Sequence, residues 1–317
     1  MTSGRTVLRN LKNLDQYLQG FGIPDRSKYF EMMVPEAFAH VFHLPFYTND
    51  NDDSNVPHRV TWRGSANPIS TAPAGDPDAI AYCYNFYVTI EATLKTGARQ
   101  WTQEFAQSIR HCEDFCDQNQ VQQSDAFAIL VCTQIHSDTY QSIKNNPRPD
   151  CRVIPLRVSE LARILETSIL AFTIRHIELR KVFHQLADDI RNSTSLRNYT
   201  RTINDLLTKW QKNVLNSERS AFIGLKSYEA MRSIRRHAIA VSEILQRLQK
   251  HPYVGQYLKI IEKKLTVNEI EDDLLKQSLA HSVGKTIQHN ETLFEPVPSA
   301  DYKGRGLRLV DAVVRIK

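Results

Sequence analysis

Asp78, Glu91, Glu104 and His111 are the residues whose types and spacing could do chemistry, at intervals of 13, 13 and 7 residues. They fall in Gly75–His111, GDPDAIAYCYNFYVTIEATLKTGARQWTQEFAQSIRH. Asp78 follows Pro77 and opens a strand-like run, and Glu91 lies inside a β-branched, aromatic run. Alternation puts Glu91 and Thr93 on one strand face, with Lys95 continuing it. A hairpin turn near Asn85 brings Asp78 to the depth of Glu91, because they lie 7 residues before it and 6 after it. Glu104 and His111 are close to two helical turns apart and share a helix face. Glu36, on an earlier helix, is a further candidate acid. Magnesium takes hard oxygen ligands and keeps several waters, so two acids and one backbone carbonyl are a sufficient core. Such an ion polarises phosphate, activates water and offsets charge on the leaving oxygen. The helical Glu and His are suited to holding a second ion or relaying a proton. Phosphodiester hydrolysis is the chemistry this set fits.

Each residue also has a plainer reading. Pro-Asp is a common turn, and a strand Glu is often a surface acid. Glu91, however, stands among Phe86, Val88, Ile90 and Leu94. In an interior strand a carboxylate is costly unless paired or ion-bound. His40 and His43 read as packing or surface histidines. Arg99 reads equally as a phosphate contact or as a charge at a helix start.

The elements that must position these groups follow from periodicity. Ser27–His43 reads as a helix, with Pro35 predicting a kink or break near Val34. Tyr47–Asn55 and Ser65–Asp76 read as loops, and His58–Arg63 as a short strand. Ala79–Tyr84 and Phe86–Leu94 form a hairpin, and Ala98–Phe115 a helix with Trp101, Phe105, Ile109 and Cys112 along one stripe. Ala126–Thr133 suits a buried strand, Asp138–Lys144 a short helix, and Arg152–Val158 an edge strand, because Pro155 cannot donate to a ladder. The fold class is α/β, a mixed sheet flanked by helices. From Ser159, a plausible N-cap, helical periods dominate: Leu161–Ile190, Leu196–Leu215, Tyr228–Gln249, Val254–Leu265 and Glu269–Ser282. The tail Lys303–Lys317 reads as one more strand or a loose end. The expected domains are 1–158, with its core at about 28–158, and a mainly helical 159–317.

Pro77-Asp78 followed by Glu91-Ala92-Thr93 resembles the PD-(D/E)xK nuclease signature, with Thr93 where lysine is usual. EATLKTGARQ, then Glu104 and Arg110-His111, resembles the cleavage domain of AlwI-type restriction endonucleases, a group of type IIS and strand-nicking enzymes. The resemblance covers about residues 28–135. It implies that Asp78, Glu91, the Ala92 carbonyl, Glu104 and His111 bind one or two Mg2+ ions, for which Mn2+ substitutes. Glu36 would match the family's early helical acid. Thr93 cannot do the work of a lysine. Either Lys95 substitutes, or a second ion held by Glu104 and His111 makes a lysine unnecessary, and the second is the expectation. Type IIS members carry a recognition region before the cleavage domain, whereas this chain starts almost at that domain. A subunit, a fragment, or an enzyme recognising DNA through its helical half is therefore expected.

Composition agrees. The 317 residues suffice for two domains with sizeable cores. No apolar run approaches the roughly 20 residues that span a bilayer, and no signal peptide is evident, so a cytoplasmic protein with no membrane partner is expected. Five cysteines, Cys83, Cys112, Cys116, Cys132 and Cys151, read as reduced and buried. Residues 1–150 carry 12 Lys and Arg against 17 Asp and Glu, and the remainder 28 against 18. An acidic half that cuts and a basic half that holds a polyanion fit this split. Arg99, Gln100, Arg110, Arg232, Arg235 and Arg236 are the candidate DNA contacts. The function expected is a metal-dependent endonuclease on double-stranded DNA, of restriction or nicking type. A second copy or a partner subunit would cut the other strand. The alternatives are a non-catalytic DNA-binding or assembly subunit with a nuclease-like fold, and a transposase-like end-cleaving nuclease.

Overall fold

Ser3 starts the chain's first helix: its hydroxyl accepts the Thr6 N–H, and Gly4–Lys12 (α1) follows. Leu14–Gln19 (α2) continues, and the two bury Val7, Leu11, Leu14 and Leu18. Neither helix is among the elements expected from periodicity. The structure is a computed structural model and describes residues 2–51, 55–67, 69–146, 152–171, 176–234, 238–266, 268–269, 294–297 and 306–309.

Arg26–Phe42 (α3) runs unbroken through Pro35, so the expected break near Val34 does not occur. Phe30, Val34, Phe38 and Phe42 are fully covered, and packing of this kind holds a helix whose proline lacks one N–H. His43 closes α3 in the left-handed region. Strands Phe46–Thr48 (β1) and Arg59–Trp62 (β2) come next. The polar cluster read as a loop thus begins inside β1, because parallel pairing with β2 supplies its partners. The loop read over Ser65–Asp76 contains a small hairpin, Ser65–Ala66 (β3) and Ile69–Ser70 (β4).

Ala79–Tyr82 (β5) and Tyr87–Thr93 (β6) form the expected hairpin, with Cys83 N–H closing onto the Phe86 carbonyl at 3.0 Å. The expected helix from Ala98 begins instead as a π-turn, Gln100–Phe105, before Ala106–Asn119 (α4). A π-turn has more residues per turn than an α-helix. Trp101 therefore leaves the buried stripe and is 37% exposed, whereas Phe105 and Cys112 stay buried. Ala126–Cys132 (β7), Ser137–Lys144 (α5) and Arg152–Arg157 (β8) complete the sheet, in the order β1-β2-β5-β6-β7-β8. β6, β7 and β8 are parallel, and the inner β2-β5-β6 ladder is antiparallel. β8 lies at the edge, as Pro155 predicts.

Phe115 of α4 packs on Tyr82 and Tyr87, so α4 covers the face that carries Glu91. On the other face Phe42, Phe86, Phe127 and Phe183 pack ring to ring. Phe183 belongs to His176–Asn192 (α7), which follows Val158–Leu170 (α6); the single long helix expected over Leu161–Ile190 is two. The start of α6 is held by Glu160, whose carboxylate accepts the Arg157 N–H at 2.7 Å, and not by Ser159.

The chain divides into two compact units. The first is Met1–Ile169 with Ile174–Thr208, and the second is Leu170–Thr173 with Lys209–Lys317. The break expected after residue 158 falls inside the first unit, because α7 is needed to cover the sheet's second face. Leu196–Ser217 (α8) ends in the second unit. There Arg219–Ile234 (α9), Ala238–Ala240 (β9), Val241–Lys250 (α10) and Pro252–Ile260 (α11) follow, with strands Phe294–Val297 (β10) and Gly306–Leu309 (β11). The helix expected over Tyr228–Gln249 is interrupted by β9, which pairs with β11 in a three-stranded antiparallel sheet. The helix expected over Glu269–Ser282 falls almost wholly outside the described residues, as does Cys151. The other four cysteines are buried thiols. Among the described residues no helix is long and apolar enough to cross a membrane.

Candidate functional site

Register decides whether the two strand acids meet. Ala79 pairs with Ile90, so Asp78 stands one step further on, opposite Glu91 and on the same face. An Asp78 oxygen accepts the Ala92 N–H at 2.8 Å. From the helix above this face, His111 Nδ1 lies 2.6 Å from Glu91 Oε1. Arg110 Nη2 lies 3.3 Å from His111 Nε2. A guanidinium only donates, so Nε2 accepts and Nδ1 carries the hydrogen given to Glu91. Burial first, and then Arg110, lowers the His111 pKa, which agrees with a neutral ring. Glu104 comes from the π-turn, and Lys95 Nζ meets its Oε1 at 2.6 Å.

These groups are tightly enclosed: Glu91 is 5% exposed, Glu104 8% and His111 4%. Burial, and then the charge of Glu91, raises Asp78 well above the usual carboxylate range. Burial, and then Glu104, does the same to Glu91, and the Asp78 N–H partly offsets it. Glu31 of α3, absent from the expected set, lies within reach of the charge of these acids. Burial raises its pKa, the Ser27 hydroxyl lowers it, and the charge of Glu104 raises it further. Glu31 also raises Asp78 and Glu91. Four carboxylates therefore feel one another's charge at one end of the sheet.

The expected residues divide on this geometry. Asp78, Glu91, Ala92, Glu104 and His111 come together, Ala92 through its N–H. Thr93 is buried, and its hydroxyl accepts the Lys95 N–H at 3.0 Å. Glu104 pairs with Lys95 and His111 with Glu91, whereas the expected second-ion pair was Glu104 with His111. Glu36 turns away from the site: its carboxylate accepts the Thr2 N–H and acts on Tyr17. Glu31 and Glu36 are five residues apart, about 140° around a helix, so one helix face cannot present both. Gln100 is fully buried with its amide bonded to backbone, so it is not a DNA contact. Arg99 and Arg110 are exposed. The Arg232 side chain, with Arg235 and Arg236, lies outside the described residues.

The donor set suits a hard divalent cation: carboxylate oxygens, two of them from buried residues, whose mutual repulsion a positive ion would relieve. Among the described residues no three His, Cys, Asp or Glu side chains converge closely enough to cage an ion as they stand. Lys95, His111 and the Ala92 N–H hold the oxygens that an ion would share.

A mixed six-stranded sheet flanked by helices, with acids gathered at one end, defines an α/β fold. The model of the AlwI restriction endonuclease family matches residues 5–164, which is 160 of 317 residues. The chain belongs to the AlwI restriction endonuclease family. No curated protein matches it. Among solved structures it is similar to the small subunit, R.BspD6I2, of the heterodimeric restriction endonuclease R.BspD6I. That likeness has 16% identity and a TM-score of 0.46, over 66% of this chain and 99% of the other.

Proposed function

We propose that this chain is a divalent-cation-dependent endonuclease that hydrolyses phosphodiester bonds of double-stranded DNA, of restriction or nicking type. The observation that carries the reading is that register sets Asp78 opposite the buried Glu91, inside the charge field of Glu104 and Glu31. Asp78, Glu91, Glu104 and Glu31 would hold Mg2+ or Mn2+. The chemistry such an ion supplies when bound is polarisation of the phosphate and a more acidic water.

The chain's own groups do the rest. His111 donates from Nδ1 and fixes the rotamer of Glu91. Arg110 keeps that tautomer by donating to Nε2. The Lys95 side chain is half-exposed while its ammonium rests on Glu104, so it can turn to a phosphate oxygen. It thus takes the part that Thr93 cannot, and Thr93 helps set the Lys95 backbone. One such centre cuts one strand, so a double-strand break needs a second copy or a partner subunit.

A plasmid-nicking assay tests this. Wild type is expected to nick with Mg2+ or Mn2+ and not in chelator, and Glu91→Ala to be inactive. Cleavage without a cation, or unchanged cleavage by Glu91→Ala, would refute the reading. One observation favours a second reading, a non-cleaving DNA-binding or assembly subunit: the Glu91 and Glu104 oxygens are already tied to His111 and Lys95. DNA binding without cleavage at any cation concentration would select it.

A further inference from the structure

Gln100 has no exposed surface, and its amide is fully engaged. Nε2 donates to the Lys95 carbonyl at 3.2 Å and to the Gln134 carbonyl at 2.8 Å. Oε1 accepts the His136 N–H at 2.7 Å. Both amide hydrogens and the oxygen are thus committed to backbone. Lys95 follows β6, the strand of Glu91. Gln134 and His136 follow β7, and His136 caps α5. Gln100 itself opens the π-turn that carries Glu104.

This chain path needs a tie. After β6 the backbone bends at Gly97, whose φ of +69° is unfavourable for other residues. The Gln100 N–H closes that bend onto the Gly97 carbonyl at 3.1 Å. The π-turn then brings Glu104 toward Glu91, and the two carboxylates repel. The Lys95–Glu104 contact offsets part of this, but the Lys95 side chain is half-exposed. The Gln100 side chain is fully buried, and its bonds join the π-turn to the exits of both parallel strands. Buried polar groups left without partners are costly, so this clip resists opening.

We infer that Gln100 is a positioning residue: by pinning the π-turn to the ends of β6 and β7 it holds Glu104 against Glu91 and so sets the affinity of the acid centre for its divalent cation. This deepens the nuclease reading and rests on it. Ion binding requires the carboxylates together. A loosened turn should weaken binding, while excess cation draws the turn back.

The test uses the full chain and two variants, Gln100→Met and Gln100→Glu. Met keeps the length and removes every hydrogen bond. Glu keeps an acceptor for His136 but sets a carboxylate against two carbonyls. Mn2+ binding without DNA, followed by calorimetry, should weaken roughly 10–100-fold in both, the range seen when outer-shell partners of metal ligands are removed. The Mg2+ concentration for half-maximal nicking should rise by a similar factor, with the rate at saturating Mg2+ largely recovered. Unchanged Mn2+ affinity in a folded Gln100→Met, or a loss that excess cation does not recover, would overturn the inference. Should neither variant fold, hydrogen exchange on wild type decides. Linkage requires Mn2+ to slow exchange of the His136 N–H, and exchange indifferent to saturating Mn2+ refutes the tie. If wild type neither binds Mn2+ nor cuts, both the inference and the nuclease reading fall. If wild type does both and Gln100→Met matches it, only the inference falls.

Discussion

Glu91→Gln should stabilise the ion-free protein while abolishing cleavage. Glu91 is 5% exposed, and its pKa is raised first by burial and then by Glu104. In the unfolded chain it ionises near its ordinary value of 4.5; in the folded chain it does so only at higher pH. The folded state thus binds this proton more tightly. The stability contributed by protonated Glu91 is complete below the unfolded value and is lost as pH rises through the folded one. Glutamine has no proton to lose, so wild type and variant should converge in acid and separate toward pH 8. Holding a buried ion costs several kcal/mol after relaxation. Against that, the His111 contact weakens by roughly 1 kcal/mol when its acceptor becomes neutral. The net gain is about 1–3 kcal/mol at pH 8, or roughly 2–12 °C in Tm for a unit near 200 residues. Calorimetric melts in chelator at pH 5 and pH 8 measure it. A variant that melts below wild type at pH 8, or one whose gain is equal at both pH values, would refute the account of a strained acid centre.

The two acids of α3 should behave differently: Glu31→Gln should lower cation-dependent nicking about 10–100-fold or more, as loss of a group at a metal centre does. Glu36→Gln should leave the rate within a few-fold, and equal effects in the plasmid assay would contradict the geometry. Phe183 is fully buried among three other phenylalanines. Phe183→Ala should cost about 3–5 kcal/mol in urea unfolding, whereas Ile177→Ala, 50% exposed on the same helix, should stay within about 0.5 kcal/mol. A mild Phe183→Ala would mean that α7 does not belong to the sheet's core.

Much of the site was legible in the chain. Asp78 and Glu91 meet because a tight hairpin fixes register, and side-chain alternation then fixes the face. Glu104 and His111 were singled out by helical spacing, although a π-turn carries Glu104 and the two meet different partners, and β8 was placed at the edge by one proline. These are local rules, carried by neighbours in sequence. The α3 acid was not legible. Glu31 and Glu36 sit on one helix, and the side that meets the sheet's end depends on how α3 docks. Gln100 has the composition of a DNA contact, and only the exits of β6 and β7 make it a buried clip.

By itself, then, the sequence determined the hairpin β5–β6 with its two acids, the buried strand β7 and the edge strand β8, because periodicity and turn chemistry act over a few residues. The tertiary structure alone decided that Glu31 comes within reach of the other acids' charge, that Lys95 rather than Thr93 meets Glu104, and that α7 completes the core. Those outcomes depend on segments distant along the chain being packed together, where burial and charge choose partners that no local pattern encodes.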